Sequence, residues 1–192
     1  MKVSGVDASP EGPARIQRWH GEAERHLEAS GLPFTVLRPN FFMQNFLGLA
    51  PAIAAGVLPL PTGDARGALI DARDIADVAA VVLTSPGHEG RRYTLTGPEA
   101  LSHGAVAATL ARELGAAVQF VDVSPEAFLD GVAQGGAPGW FADLLTDVYV
   151  TVFAAGRAAR VTDDVARVTG RPPRAFDAFV RDHLAHLRGT IA

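Results

Sequence analysis

Short runs of strand character alternate along this chain with helical segments of about 10 to 15 residues, and this alternation restricts the fold more than any other feature. The run KVSGV opens as a strand candidate. SPEGPARIQRWHGEAERHLEASG follows as a helix, with Ile16, Trp19, Ala23 and Leu27 at helical spacing as its expected apolar face and Gly31 past its end. FTVLRP, β-branched and aromatic and closed by a proline, reads as a buried strand. FFMQNFLGLAPAIAAG reads as helical with an interruption at Pro51. VLPLPTGDARGALID is too rich in Pro and Gly for a helix and reads as two extended pieces around a turn at Gly63 and Asp64. DARDIADVAAVVLTS carries the strongest helical signal, with Asp71 or Asp74 as cap and Ile75, Val78, Ala79 and Val82 on one face. RRYTLTG is a strand. LSHGAVAATLARELG is a helix capped by Ser102, with Val106, Leu110 and Leu114 inward and Gly115 past its end. AVQFVDV is the last strand, and the remainder is helical, with PGWFADLLTDVYVTVFAAGRAAR its longest stretch.

Parallel strands need a crossover between them, so such alternation predicts an α/β fold: a mostly parallel sheet with helices on its faces and a helical C-terminal subregion. The 192 residues suit a single domain, with 1–100 as the sheet portion and 101–192 as a mostly helical, substrate-side portion. Ligands of such sheets bind at the carboxyl ends of the strands. That rule directs attention to Ser4, to Arg38, Pro39 and Asn40, and to the residues that follow them.

Composition excludes several functions. Lys and Arg number 17 against 21 Asp and Glu, with no basic run beyond Arg91-Arg92, so there is no electrostatic footprint for nucleic acid. Without cysteine there are no disulfides, thiolate nucleophiles or cysteine-bound metals. His88, His103, His183 and His186 lack ligand spacing with nearby carboxylates, so no metal is expected. No G-x-S-x-G elbow marks a serine hydrolase. The N-terminus lacks the apolar core of a signal peptide and no apolar run spans a bilayer, which makes a cytoplasmic protein without membrane partners the expectation.

The polar candidates concentrate between residues 4 and 46. His20 and Glu24 lie four apart on one helix face, where a carboxylate can hydrogen-bond an imidazole and raise its pKa toward a value useful for proton transfer. The alternative for the pair is an ordinary helix flank. Arg38 closes a buried strand and must find a partner, for which Asp71 or Asp74 is the natural choice. Asn45 stands alone among Phe41, Phe42, Met43 and Phe46. That stretch is either a core-facing helix or an apolar pocket with one orienting amide, in which Met43, Asn45 and Phe46 touch the substrate.

Several segments in order, KVSGVDAS, RWHGEAERHLEASGLPFTVLRPNFFMQNF, IDARDIADVAAVVL, YTLTGPEALS and VTDDVARVTGRPPRAFDAFVRDH, resemble the NmrA-like branch of the atypical short-chain dehydrogenase/reductase superfamily across nearly the whole chain. The resemblance implies a Rossmann-like sheet of which this chain carries the C-terminal part. The family's Gly-rich turn, where a helix N-terminus receives the dinucleotide pyrophosphate, has no counterpart here; the glycines of GDARG and GVAQGGAPG lack its spacing and context. The wider superfamily pairs a tyrosine and a lysine four apart on one helix with a serine on the preceding strand. His20 and Glu24 stand at what looks like that spacing, and Ser4 at the serine's place, making these three the catalytic candidates. By the same resemblance Pro39, Asn40 and Phe41 face the nicotinamide.

The function implied is an NAD(P)-dependent oxidoreductase acting on a small carbonyl, quinone-like or azo compound, with this chain as its substrate-binding part. Two alternatives are a cofactor-independent cyclase, dehydratase or isomerase reusing the pocket, and a regulator that senses nucleotides without chemistry. The cofactor implied for the full-length family is NADP or NAD, bound weakly or not at all by this chain alone. A truncated parallel sheet exposes the KVSGV strand as an edge, so a homo-oligomer is expected through it.

Overall fold

The structure, a computed structural model, describes residues 1–189. Its strands are β1 Lys2–Val3, β2 Thr35–Pro39, β3 Val57–Leu60, β4 Arg66–Gly67, β5 Arg91–Leu95, β6 Leu101–Ser102 and β7 Gln119–Asp122. Its helices are α1 Arg15–Ala29, α2 Ala50–Ala54, α3 Ala72–Thr84, α4 His103–Leu114, α5 Pro125–Gln134, α6 Gly139–Val148, α7 Asp164–Thr169, α8 Phe176–Asp182 and α9 Leu184–Leu187. A 3₁₀ turn covers Met43–Leu47, and a π-helical turn, Tyr149–Ala154, continues α6.

The parallel pairing expected from the alternation is present, divided between two sheets. One has the order β1-β2-β5, the other pairs β3 with β7, and β4 with β6 forms a short antiparallel ribbon. The β3–β7 pair joins residues on both sides of position 100. Strand β1 lies at the edge of its sheet, with Met1 and Val3 each 46% exposed.

Register decides what each face of the first sheet carries. Lys2 stands beside Val36, Val36 beside Arg92, and Arg38 beside Thr94, and laterally paired residues of parallel strands point the same way. One face therefore presents Lys2, Arg38 and Arg92. The opposite face presents Leu37, Tyr93 and Leu95, which pack with Ile75, Val78 and Val82 of α3 and with Val165.

Helix α1 covers the charged face, and this overturns the apolar stripe expected for it. Trp19 is 56% exposed and Ala23 exposed, whereas Gln17, Gly21 and Glu24 are buried. A sheet face bearing three cations needs a polar complement, and Glu24 supplies it. Gly21 is buried because the loop after β1 runs directly across it. Most other local signals hold. Asp71 caps α3 through the Arg73 N–H, Ser102 caps α4 through the Ala105 N–H, and Gly31 and Gly115 adopt positive φ just past α1 and α4. Pro51 does not interrupt one long helix: it sits in the first turn of α2, after a separate 3₁₀ turn, where its missing N–H removes no bond.

The main core lies between the β3–β7 pair, the 3₁₀ turn with α2, helix α4 and the C-terminal helices, around Phe46, Leu58, Leu110, Phe153, Phe176 and Phe179. No helix among the described residues is long and apolar enough to cross a membrane.

Candidate active site

Beyond Val3 the backbone of β1 keeps its partner, with the Ser4 N–H donating to the Leu37 carbonyl (2.7 Å) and the Val6 N–H to the Pro39 carbonyl (2.9 Å). The carboxyl ends of β1 and β2 thus run side by side, and a cavity of about 400 Å³ opens over them. Ser4, Gly5, His20, Pro39, Asn40 and Phe41 line its near wall, with Asn45 at its margin. The far wall comes from the α6 helix and the turn after it, through Phe141, Leu144, Leu145, Val148 and Val152. Their spacing is helical and apolar, a signal visible in the sequence, but nothing local shows that the stripe faces a cavity instead of the core.

Glu24 is the electrostatic centre behind this cavity. Its side chain is only 3% exposed and accepts from the Ser4 hydroxyl (2.5 Å), from Arg38 Nε (3.1 Å) and from Arg38 Nη2 (2.6 Å), with Arg92 at 3.5 Å. Burial alone would raise its pKa, but the hydrogen bonds from Arg38 and Ser4 and the charges of Arg38 and Arg92 prevail and hold the carboxyl below its ordinary value. The partner of Arg38 is therefore Glu24. Neither Asp71 nor Asp74 serves, because β2 turns Arg38 toward α1 while both aspartates lie at the start of α3 on the opposite face. Asp71 pairs with Arg73 and Asp74 with Arg174.

His20 is not paired with Glu24, although they share a helix face. Its Nδ1 meets the Lys2 ammonium at 3.1 Å, and its ring edge lies against Gly5, where a side-chain carbon would come within 3.3 Å of Cδ2. The expected rise in imidazole pKa is reversed: burial and the Lys2 charge lower it, and the Glu24 charge only offsets part of that. An ammonium has no lone pair, so Nδ1 must be the acceptor and the neutral ring carries its proton on Nε2. Nε2 has no hydrogen-bond partner among the described residues. The arrangement can present an N–H donor to a cavity atom, with a second proton source behind it. Lys2 was not legible as part of the site, since its position next to His20 exists only once β1 and α1 have packed.

The remaining candidates divide. Asn40 is 3% exposed and engaged at both ends of its amide, donating from Nδ2 to the Ala158 carbonyl (2.8 Å) and accepting the Phe41 N–H (2.9 Å) at Oδ1. It shapes the cavity floor. Asn45 is exposed at the margin, and its side-chain amide makes no hydrogen bond among the described residues. Met43 and Phe46 do not reach the cavity. Each is 1% exposed in the main core, because the 3₁₀ turn rotates them inward while Asn45 turns out.

Comparison with known proteins matches residues 20–151 to the NmrA-like family. An NAD(P)H azoreductase from Xenophilus azovorans is 40% identical over 95% of this chain and 64% of its own length. A (4-alkanoyl-5-oxo-2,5-dihydrofuran-3-yl)methyl phosphate reductase from Streptomyces griseus is 36% identical over 91% of this chain and 61% of its own length. Among solved structures, an NADPH-dependent quinone oxidoreductase from Escherichia coli superposes with a TM-score of 0.85 at 29% identity, covering 96% of this chain and 66% of the other. The chain thus spans less than two thirds of the length of these two curated relatives.

Proposed function

Because the chain belongs to the NmrA-like family, we propose that it is the substrate side of an NAD(P)-dependent oxidoreductase reducing a small carbonyl, quinone-like or azo compound. The observation that carries this reading is the cavity at the carboxyl ends of β1 and β2 with the free Nε2 of His20 on its wall. The residues present fit the nicotinamide end of the cofactor: Ser4, Gly5, Pro39, Asn40 and Phe41 wall a space open enough for a flat ring. A bound reduced nicotinamide supplies hydride there.

The chain's own residues handle the proton. Nε2–H of neutral His20 hydrogen-bonds the substrate oxygen or nitrogen and stabilises the charge that develops on it. As that atom gains basicity it takes the Nε2 proton, and Nδ1 takes one from the Lys2 ammonium. Lys2 is left as an amine until Nε2 takes a proton from water and Nδ1 returns its own to Lys2, which restores the ammonium and the Nε2–H tautomer. Glu24 does not itself line the cavity; it holds Ser4, which does, and pairs with Arg38 behind it. The apolar wall of Phe141, Leu144 and Val148 excludes water and favours uncharged substrates.

The test is NADPH oxidation by this chain with an azo dye or a naphthoquinone, at millimolar NADPH. His20→Ala is expected to lower the rate by about 10²- to 10⁴-fold, the usual worth of a positioned proton donor, with circular dichroism unchanged. Equal rates would exclude His20 from the chemistry. Since the imidazole pKa lies below its ordinary 6.5, the limb of the pH profile due to His20 is expected on the acid side of that value.

Affinity for the cofactor is expected to be weak. Tight dinucleotide binding in this fold needs backbone N–H groups around the pyrophosphate, and the residues assigned here contact only the nicotinamide end. Titration calorimetry of the 192-residue chain with NADPH should return a Kd of about millimolar or weaker, and micromolar binding would refute the assignment.

Association through the β1 edge is part of the same reading, because unpaired strand groups beside exposed Met1 and Val3 invite pairing with a second copy. Light scattering should give at least twice the 20.1 kDa chain mass; a clean monomer at tens of micromolar argues against it.

A further inference from the structure

A second, larger cavity of about 680 Å³ lies behind the first, between the 3₁₀ turn with α2, the ends of β3 and β7, and helices α5 and α6. The two share only Asn45, Phe141 and Leu145 as wall. The lining of the second is apolar, through residues such as Leu49, Pro59, Leu60, Phe128 and Val132, and it contains no Asp, Glu, Lys, Arg or His. Gln44, at its edge, is committed: it donates to Asp71 Oδ1 (2.9 Å) and accepts the Ala72 N–H (2.9 Å).

Two polar side chains of the lining are uncommitted: Asn45, exposed at the margin shared with the first cavity, and Tyr149, which is buried. The Tyr149 side chain is 3% exposed, clasped by the rings of Phe41, Phe128 and Phe153, and its hydroxyl has no hydrogen-bond partner among the described residues. Yet no side-chain polar atom among the described residues is both sealed and unpartnered. The hydroxyl must therefore open onto the cavity that Tyr149 lines. An uncommitted buried hydroxyl costs free energy unless water or a ligand satisfies it. Tyr149 also begins the π-helical turn, an irregularity that re-aims side chains and recurs at functional sites.

We propose that this second cavity is a binding pocket for an uncharged, apolar ring compound bearing one hydrogen-bond acceptor, such as a ketone, with the Tyr149 hydroxyl as donor. A charged ligand is excluded because the pocket has no counter-charge, and burying an unpaired charge there is prohibitive. The volume suits a ligand of two to three fused rings or a comparable chain, within the range of small-molecule sites. Burial keeps the phenol protonated, so it donates. This inference is independent of the role given to His20.

Two naphthalene probes test it: 2-acetonaphthone, which has the acceptor, and 2-ethylnaphthalene, which lacks it, both measured by equilibrium dialysis against the full chain. Tyr149→Phe keeps the ring and removes the hydroxyl. It should weaken the ketone about threefold to tenfold, the worth of one net hydrogen bond, and leave the hydrocarbon unchanged. Gly131→Leu should abolish binding of both. Gly131 lines this cavity and not the first, and a Cβ added there meets nothing within 4 Å, so a leucine can start there without a backbone clash and compete with the ligand for the space. His20→Ala should leave both affinities unchanged. The proposal is overturned if the ketone does not bind, if Tyr149→Phe affects both probes alike or neither, or if His20→Ala weakens the ketone as much as Gly131→Leu, which would place it in the first cavity.

Discussion

Glu24→Gln is expected to destabilise the protein by about 2 to 3 kcal/mol and to lower its melting temperature by roughly 5 to 10 °C. Removing one partner from a fully buried ion pair costs about 3 to 5 kcal/mol because the other charge is stranded. Here the stranded guanidiniums keep some water, with side chains 25% exposed for Arg38 and 35% for Arg92, so the cost falls at or just below the bottom of that range. The exposed pair on the same helix is the control. Arg25 and Glu22 are 64% and 42% exposed, and Arg25→Ala should change stability by about 0.5 kcal/mol or less.

The same substitution alters the acid response. The folded pKa of Glu24 lies below its ordinary 4.5, so between the two values the unfolded chain binds more protons than the folded one. Stability from this carboxylate is complete above the unfolded value and is lost as pH falls through the folded one. Urea titrations should therefore show the wild type's advantage over Glu24→Gln intact at pH 7 and narrowing steadily below pH about 4.5. An advantage that did not change with pH would mean that Glu24 contributes by packing and not by charge.

Gly21→Ala is the second large effect, and its sign contradicts helix propensity. In a helix interior, alanine is better than glycine by about 1 kcal/mol. At position 21, however, the added carbon would lie 2.2 Å from the Ser9 carbonyl carbon and 2.4 Å from the Pro10 nitrogen. Both are backbone atoms of the loop between β1 and α1, so no rotamer change relieves the overlap and either helix or loop must move. A net loss of about 2 kcal/mol or more is expected, at or beyond the usual range for overpacking once the propensity gain is offset. The loop that moves carries Ser4, Gly5 and Val6, part of the first cavity's wall, so activity should fall with stability. Gly131→Ala provides the contrast. It is also in a helix, but its new carbon meets nothing within 4 Å, and it should be neutral or stabilising by up to about 1 kcal/mol. Thermal melts of the two variants side by side decide the matter: if Gly21→Ala melts at or above the wild type, the close approach of loop and helix is wrong.

These two residues show where sequence reading stops. The order of strands and helices was legible because its signals are local. Asp71 and Ser102 cap helices within one turn of themselves, Gly31 and Gly115 end them, and the spacing of Ile75, Val78 and Val82 marks the buried face of α3. The location of the cavity was legible too, since parallel strands of an α/β sheet place ligands at their carboxyl ends, and Ser4, Pro39 and Asn40 stand there. Helix α1 is where the local signal failed. Its periodic apolar residues ended up half-buried or exposed, because the sheet face beneath it is cationic and selected the polar side of the helix.

What the sequence determined by itself was therefore the α/β class, the element order, the family resemblance and the end of the sheet at which to look. Tertiary structure alone decided the polar pairings. An i, i+4 spacing puts His20 and Glu24 on one face, but the helix's rotation against the sheet buries one under Arg38 and leaves the other beside Lys2. Asn40 meets the Ala158 carbonyl across 118 positions, and Arg174 meets Asp74 across 100. Tyr149 becomes a buried donor without a partner only because Phe41, His103 and Phe128, far apart in the sequence, close around it. Hydrogen bonds and ion pairs act over about 3 Å, so they are specified by which elements the packed chain brings together, and no local pattern encodes that distance.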